Sequence, residues 1–272
     1  MPKKITDPEK IPSLNRTIAE INKKYGADTI RYLGKDAKLD RISTGIPQVD
    51  TAIGGGLPLG RVVEFYGYPS AGKTLIALKT IAEAQKQGLA CIYVDIEKVF
   101  DEEWATLLGV DVKKLTLLQV DKNQGENLFD ILCSLITVQP GVIVFDSVAA
   151  IVMEKEMEES LHQQNIALVA RLMSKGMRKL VALNKKTSIV FINQLRSTMA
   201  MYGKPTTPTG GMALGYYASI RVEVKQGEKL TIDGKKTSEV IGQTVQVKVD
   251  KNKTAMPYRQ ASFKFFYDGR FE

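Results

Sequence analysis

The sequence predicts an α/β fold: a mainly parallel twisted sheet flanked by helices, with an antiparallel extension at one edge and a short N-terminal helical appendage. Three observations carry this. From Arg41 onward, short apolar runs alternate with helical segments, the pattern of consecutive βα units. After Ala218 the alternation stops, and strand-like runs follow one another through turns. Before residue 41 one helical stretch stands apart. The expected division is therefore 1–40, an appendage suited to packing against another subunit, and 41–272, the core.

The elements follow in order. "SLNRTIAEINKKYG" sets Leu14, Ile18 and Ile21 at helical spacing and stops at Gly26. Its apolar stripe needs a cover, from its own core or from another copy. "RVVEFYG" reads as a strand and "KTLIALKTIAEAQKQG" as a helix. "ACIYVDIE" is a strand, "DEEWATLLG" a helix, "LTLLQ" a short strand and "ENLFDILCSLITV" a helix. "GVIVFDS" is an apolar strand ending in an acid. "NIALVARLMSKGMRKLVALN" is a long helix, and "SIVFINQ" the next strand. The four runs "ASIRVEVKQ", "KLTIDGKK", "QTVQVKVDKN" and "ASFKFFYDG" form the extension, with Asp233-Gly234 as a hairpin signal.

Composition narrows the function classes. The 272 residues are 44% hydrophobic and 25% charged, as in ordinary globular proteins. No apolar run has membrane-spanning length, and "MPKKITDPEK" lacks the apolar stretch of a secretory signal. An intracellular, cytoplasmic protein is expected. Cys91 and Cys133 lie in apolar strand and helix patterns and read as inert core residues. His162, the only histidine, has no His or Cys near it in sequence to build a metal site. The net charge is +8, and its distribution is uneven. Between Ser160 and Val222 there is no Asp or Glu, while Lys and Arg recur from Arg171 to Arg221. A solvated surface normally mixes signs, so this segment points to a polyanion.

"GYPSAGKT", residues 67–74, fits G-x-x-x-x-G-K-[ST], a loop that cradles phosphate. From average residue frequencies it arises by chance in about one chain of this size per hundred. Here a strand precedes it and a helix follows, as the chemistry requires. Gly67 and Gly72 permit backbone angles that other residues resist. The loop's N–H groups then converge at the positive end of the next helix. Lys73 offers a cation to the terminal phosphates, and the Thr74 hydroxyl a ligand to Mg²⁺. The whole loop, Gly67, Pro69, Ser70, Ala71, Gly72, Lys73 and Thr74, is thus assigned to a nucleotide. Asp146 closes the strand "GVIVFD" and would complete the Mg²⁺ shell. Glu97, just past the strand "YVDI", is placed to orient a water for phosphoryl transfer.

On the long helix, Arg171, Lys175 and Arg178 stand at i, i+4 and i+7. Val169, Leu172, Met173 and Leu180 fall on the other side. The helix should bury one face and offer a basic stripe suited to nucleic-acid phosphates.

Seven stretches, "ISTGIPQVDTAIGGGLPLGRVVEFYGYPSAGKT", "YVDIE", "VIVFDSVAAI", "ARLMSKGMRKL", "FINQLR", "TPTGGMAL" and "VKVDKNKTAMPY", follow in the order and spacing of bacterial RecA-type recombinases. The chain resembles that family over nearly its whole length. The resemblance implies a P-loop ATPase with a RecA-like core that forms a helical homo-oligomeric filament on single-stranded DNA. It implies ATP and Mg²⁺ as cofactors, DNA-stimulated ATP hydrolysis, and strand exchange with homologous duplex DNA. It casts Glu97 as the activator of water, and Asp101, Trp104 and Tyr267 as walls of the adenine pocket. Gln194 matches the sensor of the terminal phosphate. Lys251 and Lys253 match a pair that reaches a neighbouring subunit's ATP. Residues 153–164 match the first DNA loop, and 196–211, opening at Arg196, the second. Ile166 and Met199 fall where apolar side chains wedge between bases. Ser174, Arg178, Gly210 and Gly211 match backbone contacts, and Arg171 joins them. The second loop, rich in Gly, Pro and Thr, should be mobile without ligand.

The chain also departs from the family pattern. The first loop lacks glycines, Met212 replaces a polar residue, and the sequence ends just past Tyr267. A core-only form without the C-terminal lobe, such as a phage would encode, is the expectation. Two other uses of such a core stay open: a ring-forming motor, and a recombination mediator without strand exchange.

Overall fold

The computed structural model describes residues 11–26, 29–30, 32, 39–120, 125–150, 164–197, 206–208, 212–235 and 238–272. The chain divides into two compact units, Met1–Leu39 and Asp40–Glu272.

In the first unit, α1 spans Pro12–Tyr25. Pro12 suits the first turn, where its missing N–H costs nothing, and Gly26 closes the helix. The Asn22 side chain holds the returning chain by both backbone groups of Ile30, at 2.8 Å each. The Tyr32 hydroxyl donates to Asn15 Oδ1 at 2.7 Å.

The second unit opens with a two-stranded pair, β1 (Arg41–Ile42) and β2 (Leu57–Pro58), around α2 (Pro47–Ile53). The βα succession then runs β3 (Val62–Gly67), α3 (Lys73–Lys86), β4 (Cys91–Asp95), α4 (Glu102–Leu107), β5 (Leu115–Gln119), α5 (Gly125–Thr137) and β6 (Val142–Asp146). After it come α6 (Gln164–Leu183), β7 (Ser188–Ser197), β8 (Thr206–Pro208), α7 (Ala213–Tyr217), β9 (Ile220–Thr231), β10 (Val240–Asn252) and β11 (Gln260–Phe266). The sheet order is β5-β4-β6-β7-β3-β9-β10-β11. Strands from β5 through β9 pair in parallel, and β9, β10 and β11 pair antiparallel. The predicted α/β architecture is therefore the observed one.

Helices cover both faces of the parallel part, so β3 and β4 are buried at every position. Leu57, Phe65, Ile76 and Ile81 pack on one side. Phe145, Phe191, Leu132, Met173 and Met177 pack on the other. Each such side chain contributes about 1.5–3 kcal/mol by leaving water. Gly176 lets α6 press on α5: a Cβ there would lie 2.3 Å from the Phe129 ring. Cys91 is buried, its thiol pushed up to about 11 by burial, and neither cysteine is in a disulfide.

Two details differ from the expected elements. "ASIRVEVKQ" and "KLTIDGKK" are not separate strands; β9 runs through Gly227 without a break, and Asp233-Gly234 turns the chain into β10. Within the second loop, Thr206–Pro208 forms β8, which turns back onto the end of β7.

Parallel pairing sets the ends of four strands together. Gly67 is in register with Gln194, and Asp95 with Asp146. The carboxyl edge of the sheet thus collects Gly67, Gln194, Asp95 and Asp146.

Candidate nucleotide site and basic helix face

The loop between β3 and α3 begins at Gly67, where space is the constraint. A Cβ there would sit 2.1 Å from the Val224 carbonyl oxygen on β9. Ser70 takes a positive φ of 59°, and Gly72 opens α3. No side chain caps α3, so its first N–H groups remain directed into the loop. The Lys73 ammonium is almost fully buried and donates to the carbonyls of Gly67 (3.1 Å) and Tyr68 (2.6 Å). Burial pulls its pKa down to about 8, against the opposing pull of Asp146 and Glu97. Among the described residues this ammonium bonds neutral carbonyls, and a phosphate would give it an anion in direct contact.

Asp146 lies beside the loop. Its Oδ2 accepts from the Thr74 hydroxyl at 2.8 Å and from the Tyr93 hydroxyl at 2.7 Å. Burial lifts its carboxyl above the usual range, and those two hydrogen bonds draw it back. Burial and the same carboxylate push the Tyr93 hydroxyl far up, which keeps it a donor. The peptide between Asp146 and Ser147 is cis. The buried Ser147 hydroxyl donates to Glu97 Oε1 at 2.7 Å, so Glu97 is exposed yet aimed.

Asp95 escaped the sequence reading. It is 2% exposed, and its carboxylate gathers the Val99 N–H (3.2 Å), the Phe100 N–H (2.9 Å) and the Gln119 amide (3.1 Å). It shapes the turn that carries Glu97.

A cleft of about 360 Å³ opens from the loop. Ser70 through Leu75 line it on one side; Trp104, Gln243, Phe265 and Tyr267 line the other. Trp104 meets Phe265 edge-on at 5.5 Å, and Tyr267 meets the same ring at 6.0 Å. Trp104 and Tyr267 thus share one side of the cleft. Phe265 and Gln243 are additions. Gln243 is buried and spans from Gln226 Nε2 (2.7 Å) to the Ser70 carbonyl (3.2 Å), holding the loop from β10. Asp101 has a structural task the sequence did not reveal: its Oδ1 accepts from the Trp104 N–H at 2.9 Å and caps α4.

Lys251 is elsewhere. Its ammonium donates to the carbonyls of Gly215 (2.7 Å) and Tyr216 (3.1 Å) in α7. Along the ladder it pairs with Arg221, and Arg221 with Glu64, three residues upstream of Gly67. From strand spacings Lys251 lies about 14 Å from Gly67. Lys253 is farther; its N–H bonds Ser219, whose N–H bonds Val62 at the start of β3. Neither lysine is gathered to the loop of its own chain.

On α6, Arg171, Lys175 and Arg178 are exposed while Met173, Met177 and Leu180 are fully buried. Ser174 is half-buried between them. Two cations of the acid-free segment have protein partners instead: Arg221 binds Glu64 at 2.5 Å, and Lys179 binds Asp130 at 3.2 Å. His162, Met199, Gly210 and Gly211 lie outside the described residues, as do the side chains of Ile166 and Arg196.

The sequence profile of the RecA N-terminal domain matches residues 12–271. Protein RecA of Clostridium acetobutylicum is 42% identical over 271 residues, covering 96% of this chain and 75% of that protein. Protein RecA of Ectopseudomonas oleovorans is 42% identical over 268 residues, with the same coverage of each. A glycine loop leaving β3, an acid closing β6 and matches that span almost the whole chain agree: the chain belongs to the RecA family of recombinases.

Proposed function

We propose that this protein is an ATP-dependent DNA recombinase. It assembles as a filament on single-stranded DNA, hydrolyses ATP in response, and exchanges strands with homologous duplex. Lys73 and the α3 amides hold the phosphates. Thr74 and Asp146 are the residues that would hold Mg²⁺, which supplies charge neutralisation to the phosphates. Trp104 and Tyr267 stack on the base. Glu97, held by Ser147, takes the proton of the attacking water as its oxygen bonds the terminal phosphorus and the bridging P–O bond breaks.

The carrying observation is the distance of Lys251 and Lys253 from their own loop. Cations drawn away from one site suit a neighbour's, which makes hydrolysis a property of the assembly. On the DNA side, the α6 stripe supplies phosphate contacts that do not depend on sequence.

The test is ATP turnover with and without single-stranded DNA across protein concentration, joined to a pairing assay with homologous and heterologous duplexes. A steep joint dependence and homology-restricted exchange are expected. Turnover linear in protein and indifferent to DNA would overturn the reading, and exchange absent despite DNA-stimulated turnover would leave a motor or mediator. Glu97→Ala should bind ATP and DNA but lose nearly all turnover.

A further inference from the structure

Glu64 is an acid in the middle of a strand that is buried at every position. It is 1% exposed and stands between Val63 and Phe65 in β3. Its two oxygens serve two different strands. Oε1 accepts from the Asn193 amide at 2.9 Å, on β7. Oε2 accepts from Arg221 Nε at 2.5 Å, on β9.

Each partner touches something the proposed function needs. Asn193 precedes Gln194, and its Oδ1 accepts the Gln194 N–H at 2.9 Å. Gln194 is in register with Gly67 at the mouth of the phosphate loop. Arg221 pairs along the ladder with Lys251. Its guanidinium lies 4.9 Å over the Tyr66 ring, and the Tyr66 hydroxyl donates to Asp250, beside Lys251. A Cβ on Gly215 would lie 3.4 Å from the same guanidinium, and the Gly215 carbonyl receives Lys251. One carboxylate therefore joins the strand that enters the 198–211 segment to Arg221, whose guanidinium packs beside Gly215 of α7.

Stability alone is a weak account of this pair. Replacing a buried ion pair with apolar residues is often neutral or stabilising, because desolvation offsets the attraction. The neighbouring positions of β3 are apolar already.

We infer that Glu64 is a positioning residue: it fixes Gln194 and Lys251 relative to the phosphate loop, and so couples nucleotide binding to DNA binding. This rests on the recombinase reading above. Coupling of this kind is a ratio of affinities, which sets it apart from a loss of either one.

The experiment measures anisotropy of a fluorescein-labelled oligo-dT, with and without a non-hydrolysable ATP analogue and Mg²⁺. In the parent, the nucleotide should tighten DNA binding. In Glu64→Gln, DNA affinity without nucleotide should stay within about twofold of the parent. The tightening by nucleotide should fall at least about tenfold. Arg221→Lys keeps the cation but loses the Nε geometry; it should show the same selective loss and serves if Glu64→Gln does not fold. Variants that melt earlier, bind both ligands more weakly and keep the parent's ratio would reduce Glu64 to a structural role and overturn the inference. A parent with no tightening at all would refute the recombinase reading, and the positioning role with it.

Discussion

Asp95 and Asp146 stand opposite each other in register on the parallel strands β4 and β6, and they do different work. Asp146 faces the phosphate loop through Thr74. Asp95 gathers three donors instead: the Val99 and Phe100 N–H groups of the turn after β4, and the Gln119 side-chain amide on β5. Asp95→Ala would leave two backbone N–H groups and one side-chain amide without their acceptor. Orphaning such groups costs about 1–3 kcal/mol. The expected loss in urea unfolding is about 2–3 kcal/mol, with Asp95→Asn near half of that because one acceptor survives. A loss under about 0.5 kcal/mol would mean the turn is held by other contacts.

Lys73 carries a pH signature. Its folded pKa is about 8, against 10.5 for the free side chain, because burial disfavours the cation. Between those values the unfolded chain binds more protons than the folded one. Ligand-free stability should therefore rise with pH through that window, by at most about 3 kcal/mol. Lys73→Met should flatten the rise. A triphosphate favours the cation, so ATP binding should take up a proton near pH 9. Calorimetry in buffers of different ionisation enthalpy reads that uptake directly; none would place Lys73 away from the phosphates.

The glycine loop between β3 and α3 and the acid that closes β6 were legible in the sequence because their signal is local. A strand, a glycine pattern and a terminal acid all fall within a few residues. The α6 faces were legible from helical period alone. Glu64, Asp95 and Gln243 were not, because their partners are set by strand order. Glu64 meets Asn193 across 129 positions, and Gln243 meets Ser70 across 173. One sign was present: an acid inside the apolar run "VVEFY" needs a buried partner. Arg221 misled for the same reason. In sequence it belongs to an acid-free segment, yet the fold turns it onto Glu64.

The exposed stripe of α6 gives a salt test. Arg171 and Arg178 are exposed on a face whose opposite side is fully buried, so truncating them should not disturb packing. Each single-strand phosphate contact contributes about 0.7 to the slope of log affinity against log salt. Arg171→Ala with Arg178→Ala should lower that slope by about 1.4 and weaken binding equally for all sequences. Unchanged melting with an unchanged slope would remove the stripe from the DNA path.

Trp104 is the chain's one tryptophan, and it lines the cleft beside Lys73 and Thr74. Its emission should therefore report nucleotide directly. The ring is already fixed edge-on by Phe265, with Tyr267 across the same ring, so a base entering the cleft finds a prepared aromatic wall. Stacking on such a ring is worth about 1–3 kcal/mol, so Trp104→Ala should weaken ATP by roughly 5- to 150-fold. Inorganic triphosphate lacks a base, and its binding should change little in that variant. In the parent, ATP should shift tryptophan fluorescence while triphosphate shifts it less. If saturating ATP, verified by calorimetry, leaves the emission unchanged, the base does not enter between Trp104 and Tyr267, and recognition must come from the loop alone.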